Sequence, residues 1–309
     1  MKAPAARQAA LEAKAVVLSA SRRHVFISPD WQTVLKGTSS VKALDLTAGD
    51  QVIFEKRDSQ VFVTSILPRK NSISRTYNNE TRTVAVNLDR LFIVSAILPL
   101  YNTVFIDRVL AVAASQNIPC TLILNKIDLG LEETKSSIEL YARLGFEILF
   151  TSAKYGDGMD RLAQALLDPL LQAVALAGIS GVGKSTILNW LIPGAARKTA
   201  EVSPRTGQGR QTTTQAFGLL YRRPEKQGLL IIDLPGMHNF GISHLSTKQV
   251  AASFPEILSL AEECEFSDCA HVAERRCAVR DAVEAGKIAR SRYYSYMHML
   301  AELAETRKY

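Results

Sequence analysis

The sequence predicts an α/β fold. A doubly wound, mostly parallel sheet stands behind a small five-stranded barrel and ahead of a helical segment. Three observations carry this. Five short β-prone runs separated by turn signals fill residues 16–66. Strand-length apolar runs alternate with helical patterns between residues 91 and 232. After Gly241 only helical patterns remain, broken by one cluster of cysteines and a histidine.

The bulk numbers bound the answer. A chain of 309 residues suits two or three domains, and 47% hydrophobic with 22% charged residues is ordinary globular composition. The net charge of +7 is uneven. Residues 1–80 hold 12 Lys/Arg against 7 Asp/Glu, a net +5, whereas residues 241–309 hold 9 against 10, a net −1. An anionic partner for the N-terminal domain is the expectation. The first 14 residues are interrupted by Lys2, Arg7, Glu12 and Lys14, so no secretory apolar region forms. No apolar run approaches the ~20 residues that cross a bilayer. Four cysteines in this length do not make a disulfide framework. The expected setting is cytoplasmic and reducing, without membrane contact.

Residues 1–14 read as a frayed or helical tail. Strands are expected at 16–18, 24–27, 33–35, 51–54 and 61–66, with turns at Pro29-Asp30, Lys36-Gly37, Ala48-Gly49-Asp50 and Asp58-Ser59. Five such strands over residues 15–70 suggest an OB-fold, with an SH3-like barrel as the alternative. Arg22, Arg23, Lys36, Lys42, Lys56 and Arg57 fall near strand ends, where an OB-fold grips RNA. Residues 68–76 form a polar, basic connector, either a linker or a phosphate-contacting segment. In the domain spanning 71–241, strands are expected at 91–98, 120–124, 147–150, 173–177, 215–221 and 229–232. Helices are expected at 104–116, 131–144, 159–167 and 186–192, the last stopped by Pro193-Gly194. Residues 242–309 make a helical third domain.

Gly178-Ile179-Ser180-Gly181-Val182-Gly183-Lys184-Ser185, followed by Thr186, fits G-x-x-x-x-G-K-[ST] at every fixed position, between an apolar strand and a helix. Such a loop turns successive backbone N–H groups toward phosphate oxygens. Lys184 would reach the β- and γ-phosphates, and the Ser185 hydroxyl would ligate Mg²⁺. A nucleoside triphosphate is the expected ligand.

Asn125-Lys126-Ile127-Asp128 follows a strand, as a base-recognition loop should. The Asp128 carboxylate can accept from the ring N–H and exocyclic amine of guanine, a donor pair adenine lacks. Asn125 would tie the loop together and contact the base edge, with the Lys126 stem flanking the sugar. Ser152-Ala153, after the next strand, would offer the Ala153 N–H to the guanine carbonyl. Asp233-Leu234-Pro235-Gly236 ends a further strand. Asp233 would hold Mg²⁺ through water, and the Gly236 N–H would sense the γ-phosphate. The Gly- and Thr-rich stretch 205–214 suits a mobile switch that closes on Mg²⁺. Thr213 is favoured for that contact, although spacing does not separate it from Thr212 and Thr214.

In an ordinary GTPase the phosphate loop comes first and the guanine loop near the end. Here the guanine loop leads, which rejoining the strands of one sheet permits. The chain therefore resembles the circularly permuted P-loop GTPases, and among them the RsgA (YjeQ) family of ribosome small-subunit biogenesis GTPases. The resemblance covers about residues 16–305. It includes Pro68-Arg69-Lys70, Asn87-Leu88-Asp89-Arg90, Asn125–Asp128, Gly209-Arg210-Gln211-Thr212-Thr213-Thr214 and Val283-Glu284-Ala285-Gly286-Lys287-Ile288. It implies hydrolysis of GTP to GDP and phosphate, with the small ribosomal subunit and its rRNA as partner. It further implies a role in late maturation of that subunit, and slow intrinsic turnover raised by it. The protein is expected to be a monomer.

Cys264-x₄-Cys269-x-His271-x₅-Cys277 supplies three thiolates and an imidazole, a complete tetrahedral shell for structural Zn²⁺ with no place left for water. The resemblance assigns zinc to the same four positions. Glu274-Arg275-Arg276 stands where the family usually has a Pro-Gly turn. Two departures touch catalysis. Met237 sits where many GTPases carry the water-orienting Gln, and Gln211 where the family often has His. Gln211 is therefore the candidate for orienting water, with His238 behind it. Two other readings stay open: a translation or stress GTPase whose barrel binds protein, and a non-catalytic guanine-nucleotide sensor.

Overall fold

The structure, a computed structural model, describes residues 12–21, 24–39, 46–77, 80–99, 101–195, 216–224, 228–234 and 241–306. Arg22, Arg23, Lys42 and the switch residues Gln211, Thr212, Thr213, Thr214, Gly236, Met237 and His238 lie outside the described residues.

Strands β1 (Glu12–Ala20), β2 (Val25–Ser28), β3 (Leu35–Ser39), β4 (Gln51–Arg57) and β5 (Gln60–Ile66) close into a barrel of order β1-β2-β3-β5-β4, antiparallel except where β3 meets β5. Alternate residues point inward, so Val17, Ile27, Val52, Phe54, Val61 and Val63 fill it. This is the topology of the expected OB-fold, not of the SH3-like alternative. Two expectations need correcting. The first strand begins at Glu12, inside the supposed tail. The third is not 33–35, because the Asp30 carboxylate accepts from Gln32 N (2.9 Å) and Thr33 N (2.7 Å) and folds that stretch into a turn. Lys36-Gly37 lies within β3, and glycine is required there by close approach: a Cβ would stand 2.5 Å from the Val61 carbonyl oxygen.

The connector is not a plain linker. Its second half is β6 (Ser72–Tyr77), paired with β7 (Glu80–Val86) as a hairpin. Its first half is a latch. Arg69 gives Nε–H (2.6 Å) and Nη2–H (2.8 Å) to the fully buried Asp50 carboxylate. The Lys70 ammonium pairs with Asp89, whose other oxygen accepts from Gln172 N (2.7 Å) and Ala173 N (2.8 Å). Asn71 and Leu88 exchange two 2.8 Å bonds. The barrel, hairpin and sheet are thus tied at one point.

The sheet holds β8 (Arg90–Ala96), β9 (Cys120–Asn125), β10 (Glu147–Thr151), β11 (Ala173–Ala177), β12 (Phe217–Arg222) and β13 (Gly228–Asp233), in the order β10-β9-β8-β11-β13-β12. All neighbours are parallel except β12 and β13. Both faces are covered, which explains the unbroken apolar runs. Leu91, Ile93, Ala175 and Ile232 belong to one core, and Phe92, Val94, Val174 and Ile231 to the other. Helices α1 (Thr103–Ser115), α2 (Lys135–Arg143), α3 (Met159–Ala165) and α4 (Lys184–Leu191) alternate with the parallel strands. The single helix expected over 131–144 is split, since Glu132–Thr134 is a 3-10 turn whose Thr134 N–H and hydroxyl both bond the Leu131 carbonyl.

The chain enters at the middle of the sheet, runs out to β10, then returns to β11 on the other side of β8. That reversal makes β8/β11 the switch point, where the carboxyl ends of the strands leave a crevice. Helices α5 (Thr247–Ala252), α6 (Pro255–Ala261), α7 (Ala278–Glu284) and α8 (Arg290–Thr306) follow. They share one apolar core with α1, through Phe254, Met299 and Leu303 beside Val109 and Leu110. Among the described residues no helix is long and apolar enough to cross a membrane.

Candidate nucleotide site and metal centre

Parallel strands end together, so the loops after β8, β9, β10, β11 and β13 gather at one edge. Register fixes this: Ala96 lies opposite Asn125, Asn125 opposite Thr151, and Leu176 opposite Asp233. Every described member of the expected nucleotide site is therefore on the same rim.

Asn125 is the hub. It is 2% exposed, and its Nδ2–H donates to the Val182 carbonyl of the phosphate loop at 2.9 Å. Its Oδ1 accepts from Thr151 Oγ1 (3.1 Å) and from Ala153 N (3.0 Å). One side chain thus joins three loops that are distant in sequence. The Ala153 N–H, expected to face the guanine carbonyl, is committed to Asn125 instead. Asp128 stands on the exposed rim, and its Oδ1 accepts from Ser152 Oγ at 2.5 Å, which aims the carboxylate. Lys126 has left-handed backbone (φ 64°), and its ammonium donates to the Leu98 carbonyl at 2.7 Å. That turn after β8 had no motif to announce it.

The phosphate loop keeps glycine where geometry demands it. Gly183 has φ +97°, and a Cβ there would lie 2.3 Å from Asn125 Nδ2. Ser180 and Gly181 are exposed, while Val182 is buried beneath them. Lys184, Ser185 and Thr186 form the first turn of α4, with Ser185 and Thr186 exposed. The Lys184 ammonium is folded back onto the Gly178 carbonyl at 2.7 Å. Burial lowers its pKa, and the Asp233 charge opposes that. Burial likewise pushes the Asp233 carboxyl up to about 6, with Lys184 pulling the other way. Asp233 Oδ1 is buried with no hydrogen-bond partner among the described residues. A buried carboxylate oxygen without such a partner, near Lys184 of the phosphate loop, fits a hydrated divalent cation.

In the C-terminal helical segment Cys264, Cys269, His271 and Cys277 place their ligand atoms within 4.8 Å of one another. His271 Nδ1 is 3.6 Å from Cys264 Sγ and 3.4 Å from Cys277 Sγ, and those sulfurs are 4.0 Å apart. Zn–S bonds of ~2.3 Å give a tetrahedron of about 3.8 Å edge, so the set can close on such a metal. The outer shell is built from this chain's own residues. Tyr293 OH donates to the His271 carbonyl (2.5 Å), and Arg280 N donates to Cys277 Sγ (3.5 Å). The Glu274 carboxylate accepts from Ala270 N (2.9 Å), Val272 N (2.8 Å) and Ala273 N (2.9 Å); its own backbone N–H first, and these bonds with it, lower its pKa to about 2. Glu274 thus shapes the loop between His271 and Cys277. Among the described residues this is the one group of three or more such ligands.

The family model of the RsgA GTPases matches residues 66–243. The chain is 38% identical to the small ribosomal subunit biogenesis GTPase RsgA of Haemophilus influenzae (strain 86-028NP), across 85% of this chain and 77% of the relative. It is 33% identical to the RsgA of Actinobacillus pleuropneumoniae serotype 5b, across 94% and 86%. The crystal structure of YjeQ from Thermotoga maritima superposes with a TM-score of 0.69 at 28% identity, covering 95% of this chain and 99% of that one. YloQ, a circularly permuted GTPase, shares the fold with a TM-score of 0.64 at 22% identity over 96% of each chain.

Proposed function

The chain belongs to the RsgA GTPase family, and from that premise we propose how this GTPase acts. GTP bound along the carboxyl edge of the sheet is hydrolysed to GDP and phosphate, in the service of late maturation of the small ribosomal subunit. The observation that carries the reading is the three-loop junction at Asn125, which couples base recognition to the phosphate loop.

Asp128 accepts from the guanine ring N–H and exocyclic amine, held for it by Ser152. The Lys126 stem lies along the sugar while its ammonium stays on Leu98. The N–H groups of residues 179–185 meet the phosphates, and Lys184 leaves the Gly178 carbonyl for the β- and γ-phosphate oxygens. Ser185, Asp233 and Thr213 would hold Mg²⁺, which would supply positive charge against the triphosphate. Gly236 meets the γ-phosphate and Gln211 orients the attacking water. The roles of Thr213, Gly236 and Gln211 rest on the sequence alone. With Met237 in place of a Gln, turnover is slow until the subunit orders the switch.

Cys264, Cys269, His271 and Cys277 hold structural Zn²⁺. The barrel, with Lys36, Lys56 and Arg57 exposed on it, meets rRNA. The protein works as a cytoplasmic monomer. A GTPase assay with and without purified small ribosomal subunits tests the reading. A slow basal rate raised several-fold by subunits is expected. Equal rates reject the partner, and no hydrolysis in either arm favours a nucleotide sensor.

A further inference from the structure

Among the described residues the largest fully buried side chain is Arg292, on α8. It is 1% exposed. Its Nη1–H donates to Asp107 Oδ1 (2.6 Å), its Nε–H to Glu256 Oε1 (2.7 Å), and its Nη2–H to the Ser253 carbonyl (3.1 Å). The guanidinium lies 4.0 Å from the centre of the Phe254 ring. Asp107 is on α1, and its Oδ1 also accepts from Tyr141 OH on α2 at 2.7 Å. Helices from three parts of the chain therefore converge on one carboxylate. Buried ion pairs are weak sources of net stability, because desolvation cancels much of the attraction. Forked, directional bonds do fix one geometry.

The two helices held at Asp107 are the ones that follow the turn after β8 and the base loop after β9. The turn into α1 carries the Leu98 carbonyl that holds Lys126, and it places Pro99 Cδ 3.5 Å from where a Cβ on Gly181 would stand. Asn102 Oδ1 then caps α1 by accepting from Phe105 N (3.0 Å). Helix α2 follows the base loop.

We propose that Arg292 is a positioning residue for guanine-nucleotide binding. Docked on Asp107, the C-terminal helix braces α1 and α2, so the turns that meet base and phosphate are in place before nucleotide arrives. The proposal rests on the guanine-nucleotide reading above. A cleft already held in its bound shape gives up less freedom on binding. The coupling is reciprocal, so bound nucleotide steadies α8 in return.

The test uses the full-length, metal-loaded chain and fluorescent N-methylanthraniloyl-GDP. Arg292→Met keeps an apolar stem over Phe254 and removes the fork. The pair Asp107→Asn with Arg292→Met also removes the opposing charge, keeps an acceptor for Tyr141, and guards against simple unfolding. In both variants Kd is expected to rise about tenfold with metal content unchanged, a size usual for coupled sites. In the wild type, GDP is expected to slow amide exchange across residues 290–306, and in the variants that protection is lost. A purely structural Arg292 would lower the melting temperature and leave Kd of the folded protein within twofold, which overturns the proposal. Wild-type exchange at 290–306 that ignores GDP overturns it equally. Failure of the wild type to bind the probe would instead refute the nucleotide reading.

Discussion

Replacing Asn125 by Ala removes one side chain and orphans three groups. The Val182 carbonyl, the Thr151 hydroxyl and the Ala153 N–H each lose a partner within 3.1 Å, at a site 2% exposed. An unsatisfied buried polar group costs about 1–3 kcal/mol, so the full loss is on the order of 3–6 kcal/mol after some relaxation. The loops bear the strain, so it divides between stability and binding. If about half falls on binding, GDP affinity drops roughly 10- to 100-fold, since about 1.4 kcal/mol is tenfold. Asn125→Asp is the control. It keeps the acceptor for Thr151 and Ala153 but turns an acceptor toward the Val182 carbonyl, so it uncouples the phosphate loop alone. Fluorescent GDP titration and thermal melting, each with and without GDP, separate the two contributions. The hub argument is refuted if Asn125→Ala binds GDP within threefold of wild type and melts at the same temperature.

Three further outcomes follow from the same geometry. The Asp233 pKa is raised from 3.8 to about 6 by burial, so the native state holds its proton more tightly than the unfolded chain does. Stability of the nucleotide-free protein should therefore rise as pH falls from about 6 toward 4, and be lowered by up to ~3 kcal/mol above that window. Asp233→Asn should stabilise the empty protein at pH 8 in urea titrations and abolish the Mg²⁺ dependence of GTP binding; an unchanged midpoint would contradict the burial argument. Cys277→Ser removes one of the four proposed metal-binding side chains and the sulfur that accepts from Arg280 N. One equivalent of metal per chain should vanish in elemental analysis, and residues 264–284 should lose exchange protection while GDP binding persists. Arg69→Ala leaves the fully buried Asp50 carboxylate without its guanidinium and should cost about 3–5 kcal/mol in urea unfolding. Asp50→Asn combined with Arg69→Met should recover part of that loss, and no recovery would mean that packing, not charge, is lost.

The sequence by itself determined the family and where along the chain the nucleotide motifs are expected. A phosphate loop needs glycines and a lysine at fixed offsets, and a guanine loop needs its carboxylate just past a strand. Such local requirements survive in any order along the chain, so Gly178–Ser185, Asn125–Asp128 and Asp233 could be read before their arrangement was known. The cysteine spacing was legible for the same reason: four ligands in fourteen residues leave little conformational choice. The tertiary structure decided what depends on partners distant in sequence. Pro68-Arg69-Lys70 looked like a basic connector because charge alone does not reveal a buried Asp50 or an Asp89 waiting to receive it. Thr33 looked like strand because β-propensity does not register that Asp30 captures its N–H. Arg292 carries no motif, and only folding brings Asp107 and Glu256 to it, from 185 and 36 residues away. Local backbone chemistry is written in neighbouring residues, whereas pairing of buried charges is settled by which helices the core brings together.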